Sequence, residues 1–133
     1  MIKHLDKDKK LICIVHFKSD WVKGLDFITE DDEFIQAGTW WYDKGKVLDR
    51  HHHNVLERTS TLTCECVFVV QGSMMVELYD EKNEFLSDFK MHSGDTAVFL
   101  GGGHGYQILE DNTKILETKN GPFFGVELDK TRF

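Results

Sequence analysis

The apolar residues of this chain of 133 residues occur in short runs, and turn-forming sequences separate one run from the next. No window carries a long stripe of apolar residues at helical spacing, and the 11 glycines suit frequent turns. Strands this short, joined by short links, are typical of a sandwich or a barrel. The pattern therefore predicts an all-β fold of about nine strands, at residues 10–17, 34–42, 47–57, 63–70, 73–79, 85–91, 96–100, 106–109 and 114–118.

The length and charge of the chain restrict its organisation and its partners. We expect one domain over residues 1–133, because no linker or internal repeat interrupts the sequence. The 23 acidic residues outnumber the 16 basic ones, and this balance argues against nucleic acid or an anionic membrane surface as a partner. The three cysteines do not form a disulfide framework, and no signal peptide is recognisable at the N-terminus. We therefore expect a cytoplasmic protein with no membrane contact.

The run from Cys66 to Val70 is apolar at every position, so the strand predicted there has no polar face. One face of an antiparallel sheet usually meets water. A second layer of the fold or a partner subunit must therefore cover the outer face, and we expect a homodimer. In another predicted strand, Trp40 and Tyr42 share one face, which suits barrel packing or a dimer contact. A platform for stacking ring-shaped ligands is the alternative.

Three consecutive histidines lie in the predicted strand at residues 47–57. Because side chains alternate along a strand, His51 and His53 share one face and His52 lies on the other. Two neutral imidazoles on one face are spaced to bind one metal ion, and a solvated polar patch is the alternative. Further along, Glu65 opens an apolar strand, where a carboxylate needs a partner.

These residues belong to two sets that resemble the two motifs of the cupin family. The first motif is matched by Gly45, His51, His53, Glu65 and Gly72, and the second by Gly94, Asp95 and His104. The resemblance covers residues 35–118, extends into the tail, and points to small single-domain bacterial cupins of unassigned function. It implies an antiparallel β-barrel of the jelly-roll type. It also implies one divalent metal ion (Fe, Mn, Ni or Zn) with the ligands His51, His53, Glu65 and His104.

Two carboxylates compete for the place of the acidic ligand. Glu57 follows His53 at the usual cupin spacing, but Cys64 stands where the motif then requires glycine. Glu65 is followed by Gly72 at the required distance, and we prefer Glu65 for this reason. The stretch 54–63 is then an insertion, which we expect to form a hairpin over the mouth of the barrel. His104 also comes one residue earlier than in the family pattern.

A metal ion with open coordination positions can bind water, dioxygen or a chelating substrate. We therefore expect a metal-dependent enzyme that isomerises, epimerises or oxygenates a small polar metabolite. The alternative is a metal-dependent binding or sensing module without turnover. Arg58 and Tyr106 are the candidates for contacting the substrate, although a surface pairing with Glu57 is the preferred alternative for Arg58.

The last predicted strand carries two candidate proton-transfer groups. Glu117 and Lys119 share one face of this strand with Ile115. If that face points into the barrel, the two groups form a buried ion pair near the metal and either can move a proton. If it points outward, they are a solvated edge, and the binding module becomes the better hypothesis.

Overall fold

The computed structural model describes all 133 residues and consists mainly of short antiparallel strands. The strands are β1 (Ile2–Leu5), β2 (Leu11–His16), β3 (Gly24–Phe27), β4 (Gly38–Trp41), β5 (Glu65–Gln71), β6 (Ser73–Tyr79), β7 (Phe85–His92), β8 (Thr96–Phe99), β9 (Gly103–Ile108) and β10 (Lys114–Lys119). A single 3-10 turn (Lys18–Asp20) and the short helix α1 (Val126–Asp129) complete the fold. The all-β prediction is thus confirmed. Neither helical segment has the length and apolar character needed to cross a membrane.

The strands form three antiparallel sheets, and none of the three closes into a barrel. A five-stranded sheet has the order β1-β2-β8-β5-β10, a three-stranded sheet has the order β7-β6-β9, and β3 pairs with β4 alone. From β5 onward the chain alternates between the two larger sheets, because β6 and β7 lie in one, β8 in the other, and β9 and β10 again in different sheets.

The main core lies between the two larger sheets. In β5 the inward side chains are those of Glu65, Val67 and Val69, as the alternating burial along this strand indicates. In β6 the inward residues Met74, Val76 and Leu78 are buried in the same hydrophobic cluster. Burial of these apolar side chains stabilises the pairing of the two sheets.

A second cluster covers the outer face of the five-stranded sheet. It includes Ile14 of β2, Val98 of β8 and Ile28, which follows β3, and Ile35 and Ala37 pack against it. The apolar outer face that the sequence predicted is therefore covered in part by the chain's own segment 28–37. Val70, near the end of β5, remains half exposed.

The predicted strands agree with the observed ones except at the histidine segment, near the N-terminus and at two strand starts: β4 begins four residues later than predicted and β9 three residues earlier. β6 has the predicted bounds, and β2, β5, β7, β8 and β10 differ from theirs by only one or two residues at an end. β1 and β3 were not predicted. The strand predicted at 47–57 is wrong, as is the hairpin predicted at 54–63, because residues 42–64 contain no strand and are exposed except at Ser60 and Cys64. The segment pairs with none of the three sheets, and an isolated strand is not stable in water.

Candidate functional site

The candidate site is built around the buried carboxylate of Glu65. Its side chain lies at the start of β5, in line with the core residues Val67 and Val69, and it is only 4% exposed. A buried carboxylate requires polar partners. The hydroxyl of Tyr106 donates a hydrogen bond of 2.9 Å to Glu65 Oε1, and His104 Nε2 lies 3.7 Å from the same oxygen.

The strand β9 directs both partners toward Glu65. His104 and Tyr106 are two residues apart on this strand and therefore share one face. They lie opposite the inward residues Leu78 and Val76 of β6. Both side chains therefore face the core between the sheets, where the start of β5 meets them. Phe99 pairs with Glu65 across β5 and β8, and its ring centroid lies 4.4 Å from that of His104. The buried Phe99 ring gives the site an apolar floor.

Burial changes the proton affinity of the groups around Glu65. Desolvation lowers the pKa of His104 below its ordinary value; the charge of Glu65 opposes this shift and that of Lys130 adds to it. Desolvation and the neighbouring Glu65 carboxylate raise the pKa of Tyr106, although 41% of this residue is exposed. His104 is therefore a neutral imidazole at neutral pH, the form that can coordinate a metal ion, and Tyr106 keeps its proton as a donor.

A cavity of about 720 Å³ opens beside this cluster. Glu65, His104 and Tyr106 line the part of the cavity next to the core. Glu77 and Tyr79 of β6 line the part next to the opposite face of the β6–β9 pair. Residues 129–133 at the C-terminus form the facing wall. The volume is in the range of sites that bind small molecules.

Glu117 and Lys119 lie on the inward face of β10. Glu117 pairs with Val67 and Lys119 with Glu65, and directly paired residues share a face of the sheet. The Lys119 ammonium lies 3.7 Å from Glu117 Oε1 and 3.6 Å from Asp129 Oδ2. Of the two alternatives for this strand, the structure has the inward one, although the Glu117 side chain is 44% exposed at the edge of the sheet.

The structure does not bring His51 and His53 to the cavity. Both are exposed in segment 42–64, where their ring centroids lie 5.4 Å apart and His51 Nδ1 is 3.0 Å from the Asp49 carbonyl oxygen. No group of three or more His, Cys, Asp or Glu side chains is arranged to hold a metal ion. The four predicted ligands are therefore found as two separate pairs.

Arg58 is also outside the cavity. It is exposed, its Nη1 donates to the Leu56 carbonyl oxygen at 3.5 Å, and it makes no ion pair with Glu57. Neither role predicted for Arg58 is seen in this arrangement. Tyr106, the other residue predicted to contact substrate, lines the cavity.

Several residues of the cavity were not predicted from the sequence. They are Glu77 and Tyr79 of β6 and the C-terminal residues Asp129, Lys130, Arg132 and Phe133. The alternating pattern of β6 places Glu77 and Tyr79 on one face, but nothing in the sequence shows that the C-terminal tail returns to this edge of the sheet. In comparisons with known protein families, curated proteins and solved structures, no significant match to this chain was found.

Proposed function

We propose that this protein binds a divalent metal ion at Glu65 and His104 and acts as a metal-dependent enzyme on a small polar metabolite. The observation that carries the proposal is the buried Glu65 carboxylate facing the neutral His104 imidazole at the wall of a cavity of about 720 Å³. A carboxylate and an imidazole are ligands suited to Fe, Mn, Ni or Zn. The reaction would be an isomerisation, an epimerisation or an oxygenation.

The spacing of Glu65 and His104 fits two ligands of one ion. Ligand atoms about 2.1 Å from an ion, at a tetrahedral angle to each other, lie about 3.4 Å apart. The 3.7 Å between Glu65 Oε1 and His104 Nε2 is close to that separation and too long for a hydrogen bond. His51 and His53 are the remaining ligands of the proposal, and segment 42–64 has to fold against the cavity to supply them.

The chain's own groups have distinct tasks in such a site. A bound metal ion would supply a Lewis acid that polarises a substrate oxygen. Tyr106 holds the Glu65 carboxylate in one orientation through its 2.9 Å hydrogen bond, and Phe99 excludes water from the floor of the site. Glu117 faces the same side of β10 as Lys119 and is exposed enough to exchange a proton with substrate and solvent.

The inward face of Glu117 and Lys119 favours an enzyme over a binding module without turnover. Neither residue lines the cavity itself, but the charge of Glu117 acts on both His104 and Tyr106. A module that only binds its ligand needs no proton-transfer group so close to its site. The close contact of Lys119 with both Glu117 and Asp129 leaves Glu117 as the better candidate for moving a proton, with Lys119 positioning it.

The alternation of strands between the two larger sheets supports a jelly roll of the cupin type. In a jelly roll, two antiparallel sheets packed face to face are connected by Greek-key crossings. Here β5 pairs with β8 and β10, whereas β6 pairs with β7 and β9, so every connection from β5 to β10 except that between β6 and β7 changes the sheet. We propose that β3 and β4 continue this architecture. The cytoplasmic location stays a prediction from the cysteine content.

The test is the metal content of untagged protein, purified without chelators or nickel resin and measured by elemental mass spectrometry. We expect about one ion per chain, and its loss in His104→Ala, Glu65→Gln and His51→Ala. His52→Ala and Glu57→Gln are the matched controls and should keep the ion. Tyr106→Phe should weaken metal affinity about tenfold, because it removes the hydrogen bond that orients Glu65.

Two results would count against parts of this proposal. Stoichiometric metal in His51→Ala would remove segment 42–64 from the ligand set while leaving Glu65 and His104 in place. Protein that contains no metal and takes up none from added Fe, Mn, Ni or Zn salts would overturn the metal site as a whole.

A further inference from the structure

The C-terminal residues 129–133 form one wall of the cavity. Both ends of this segment make contacts with the rest of the fold. Asp129 lies 3.6 Å from the Lys119 ammonium and accepts a 3.2 Å hydrogen bond from the hydroxyl of Thr63. At the other end, the ring of Phe133 packs edge-on against Tyr79, with 5.1 Å between the centroids. These contacts hold the intervening residues along the edge strand β9, beside Glu65 and His104.

Two of the intervening residues are cations without an acidic partner. Lys130 and Arg132 line the cavity, and neither makes an ion pair or a side-chain hydrogen bond. They are the only cations among the residues that line the cavity, and both are exposed to solvent. Unpaired cations at a cavity wall attract a ligand of opposite charge.

The acidic groups of the cavity already have partners. Glu65 accepts from the hydroxyl of Tyr106 and Glu77 from that of Tyr79 at 2.9 Å, and Asp129 faces Lys119. Their three negative charges nevertheless oppose a ligand that carries several charges of its own. The cavity therefore suits a ligand with one negative charge rather than a phosphate or polyphosphate.

We propose that the site selects a small organic acid, whose single carboxylate is bound by Arg132 and Lys130 while its polar remainder faces Glu65 and His104. A planar guanidinium binds a carboxylate with two parallel hydrogen bonds, and the Lys130 ammonium adds a second cation. This inference rests on the proposed small-molecule function of the same cavity. It names the class of substrate and two residues that determine the specificity.

The experiment compares three probes that share a six-carbon skeleton and differ in charge. Gluconate carries a carboxylate, glucose is neutral, and glucose 6-phosphate carries a phosphate. We expect gluconate to bind at least tenfold more tightly than either of the others in calorimetric titration. Arg132→Gln and Lys130→Gln should each weaken gluconate binding about fivefold to tenfold, and the double variant should bind gluconate and glucose equally.

Lys90→Gln is the matched control, because Lys90 is an exposed lysine of β7 outside the cavity wall. It should leave the affinity for gluconate unchanged, and circular dichroism should show the same fold in all variants. A preference for glucose 6-phosphate, or a gluconate preference that survives in the double variant, would overturn the inference.

Metal content measured on the same samples separates this inference from the proposed function. If the double variant keeps its metal and loses the gluconate preference, the charge selection is supported independently of the ligand set. If wild-type protein holds no metal but still prefers gluconate through Arg132 and Lys130, the proposed metal site fails and the selection of a carboxylate stands.

Discussion

At the scale of single residues, the carboxylate of Asp95 connects two parts of the chain that are far apart in sequence. Asp95 Oδ1 accepts a 2.8 Å hydrogen bond from the backbone N–H of Lys18, and Oδ2 accepts one of 2.8 Å from the N–H of His92. The side chain is buried, so water cannot replace these bonds. Asp95 thereby fixes the 3-10 turn after β2 to the turn between β7 and β8.

We predict that Asp95→Ala lowers the free energy of unfolding by about 2–3 kcal/mol, because two backbone donors lose a charged acceptor. Urea denaturation followed by circular dichroism measures the change. Asp88→Ala is the control, since Asp88 is exposed on β7 and accepts no hydrogen bond from the protein; it should change the stability by less than about 0.5 kcal/mol. Equal stability of the two variants would show that the Asp95 hydrogen bonds contribute little.

Much of the candidate site could be predicted from the sequence at this scale. Glu65 was singled out because a carboxylate in an apolar strand needs a partner, and the structure provides Tyr106 and His104. Lys130 and Arg132 could not be found, because their position depends on contacts of Asp129 and Phe133 with residues distant in sequence. No local pattern encodes such contacts.

At the scale of elements, the turn between β5 and β6 depends on Gly72. Its φ of +81° lies in the left-handed region that favours glycine, and a Cβ at this position would lie 2.2 Å from Thr113 Oγ1 and 2.9 Å from Thr113 Cα. The loop between β9 and β10, which contains Thr113, therefore packs directly on this turn. The Thr113 hydroxyl also donates to the carbonyl oxygen of Glu110 at 2.8 Å, which keeps it from moving away.

We predict that Gly72→Ala destabilises the protein by about 2–4 kcal/mol, from backbone strain together with the collision with Thr113. Gly45→Ala separates the two causes, because Gly45 has a φ of +95° and open space around its position. This control should lose only about 1 kcal/mol, the cost of the strained backbone alone. Thermal unfolding of both variants measures the difference, and similar losses would mean that Thr113 yields to the added methyl group.

At the scale of elements, some strands could be predicted from the sequence and others could not. β6 was predicted at its observed bounds because alternating apolar residues between two turns determine a strand locally. Residues 47–57 have a comparable extended pattern but form no strand, since they pair with none of the three sheets and an unpaired strand is not stable in water. β3 was missed because its exposed Leu25 and Phe27 alternate with glycine and aspartate in a segment of only four residues.

At the scale of the whole molecule, the outer face of the β3–β4 pair is an exposed apolar surface. Leu25, Phe27 and Trp40 share this face, and Leu25 lies directly opposite Trp40. All three tryptophans of the chain, Trp21, Trp40 and Trp41, line a depression of about 470 Å³ beside it. A contiguous exposed apolar surface of this kind indicates an interaction site.

We propose that a second copy of the chain covers this surface, in a symmetric homodimer. Further apolar residues, Val47 (79% exposed) and Leu48, are exposed in segment 42–64, which follows β4 in the chain. A twofold interface uses the same patch on both subunits, so each copy would cover the other's aromatic face. This pairing would also give the histidine segment a neighbour that the isolated chain lacks.

We therefore predict that the protein elutes with twice its chain mass of 15.4 kDa when light scattering follows size-exclusion chromatography. Trp40→Glu should yield monomers at the same concentration, because it introduces a charge into an apolar interface. Phe85→Glu is the matched control, since Phe85 on β7 is 56% exposed and Trp40 is 57% exposed. Dilution of the wild type should shift tryptophan emission to longer wavelength as the indoles meet water. A monomeric wild type, or a Trp40→Glu variant that stays dimeric, would contradict the interface, and the aromatic depression would then be better explained as a platform that stacks a ring-shaped ligand.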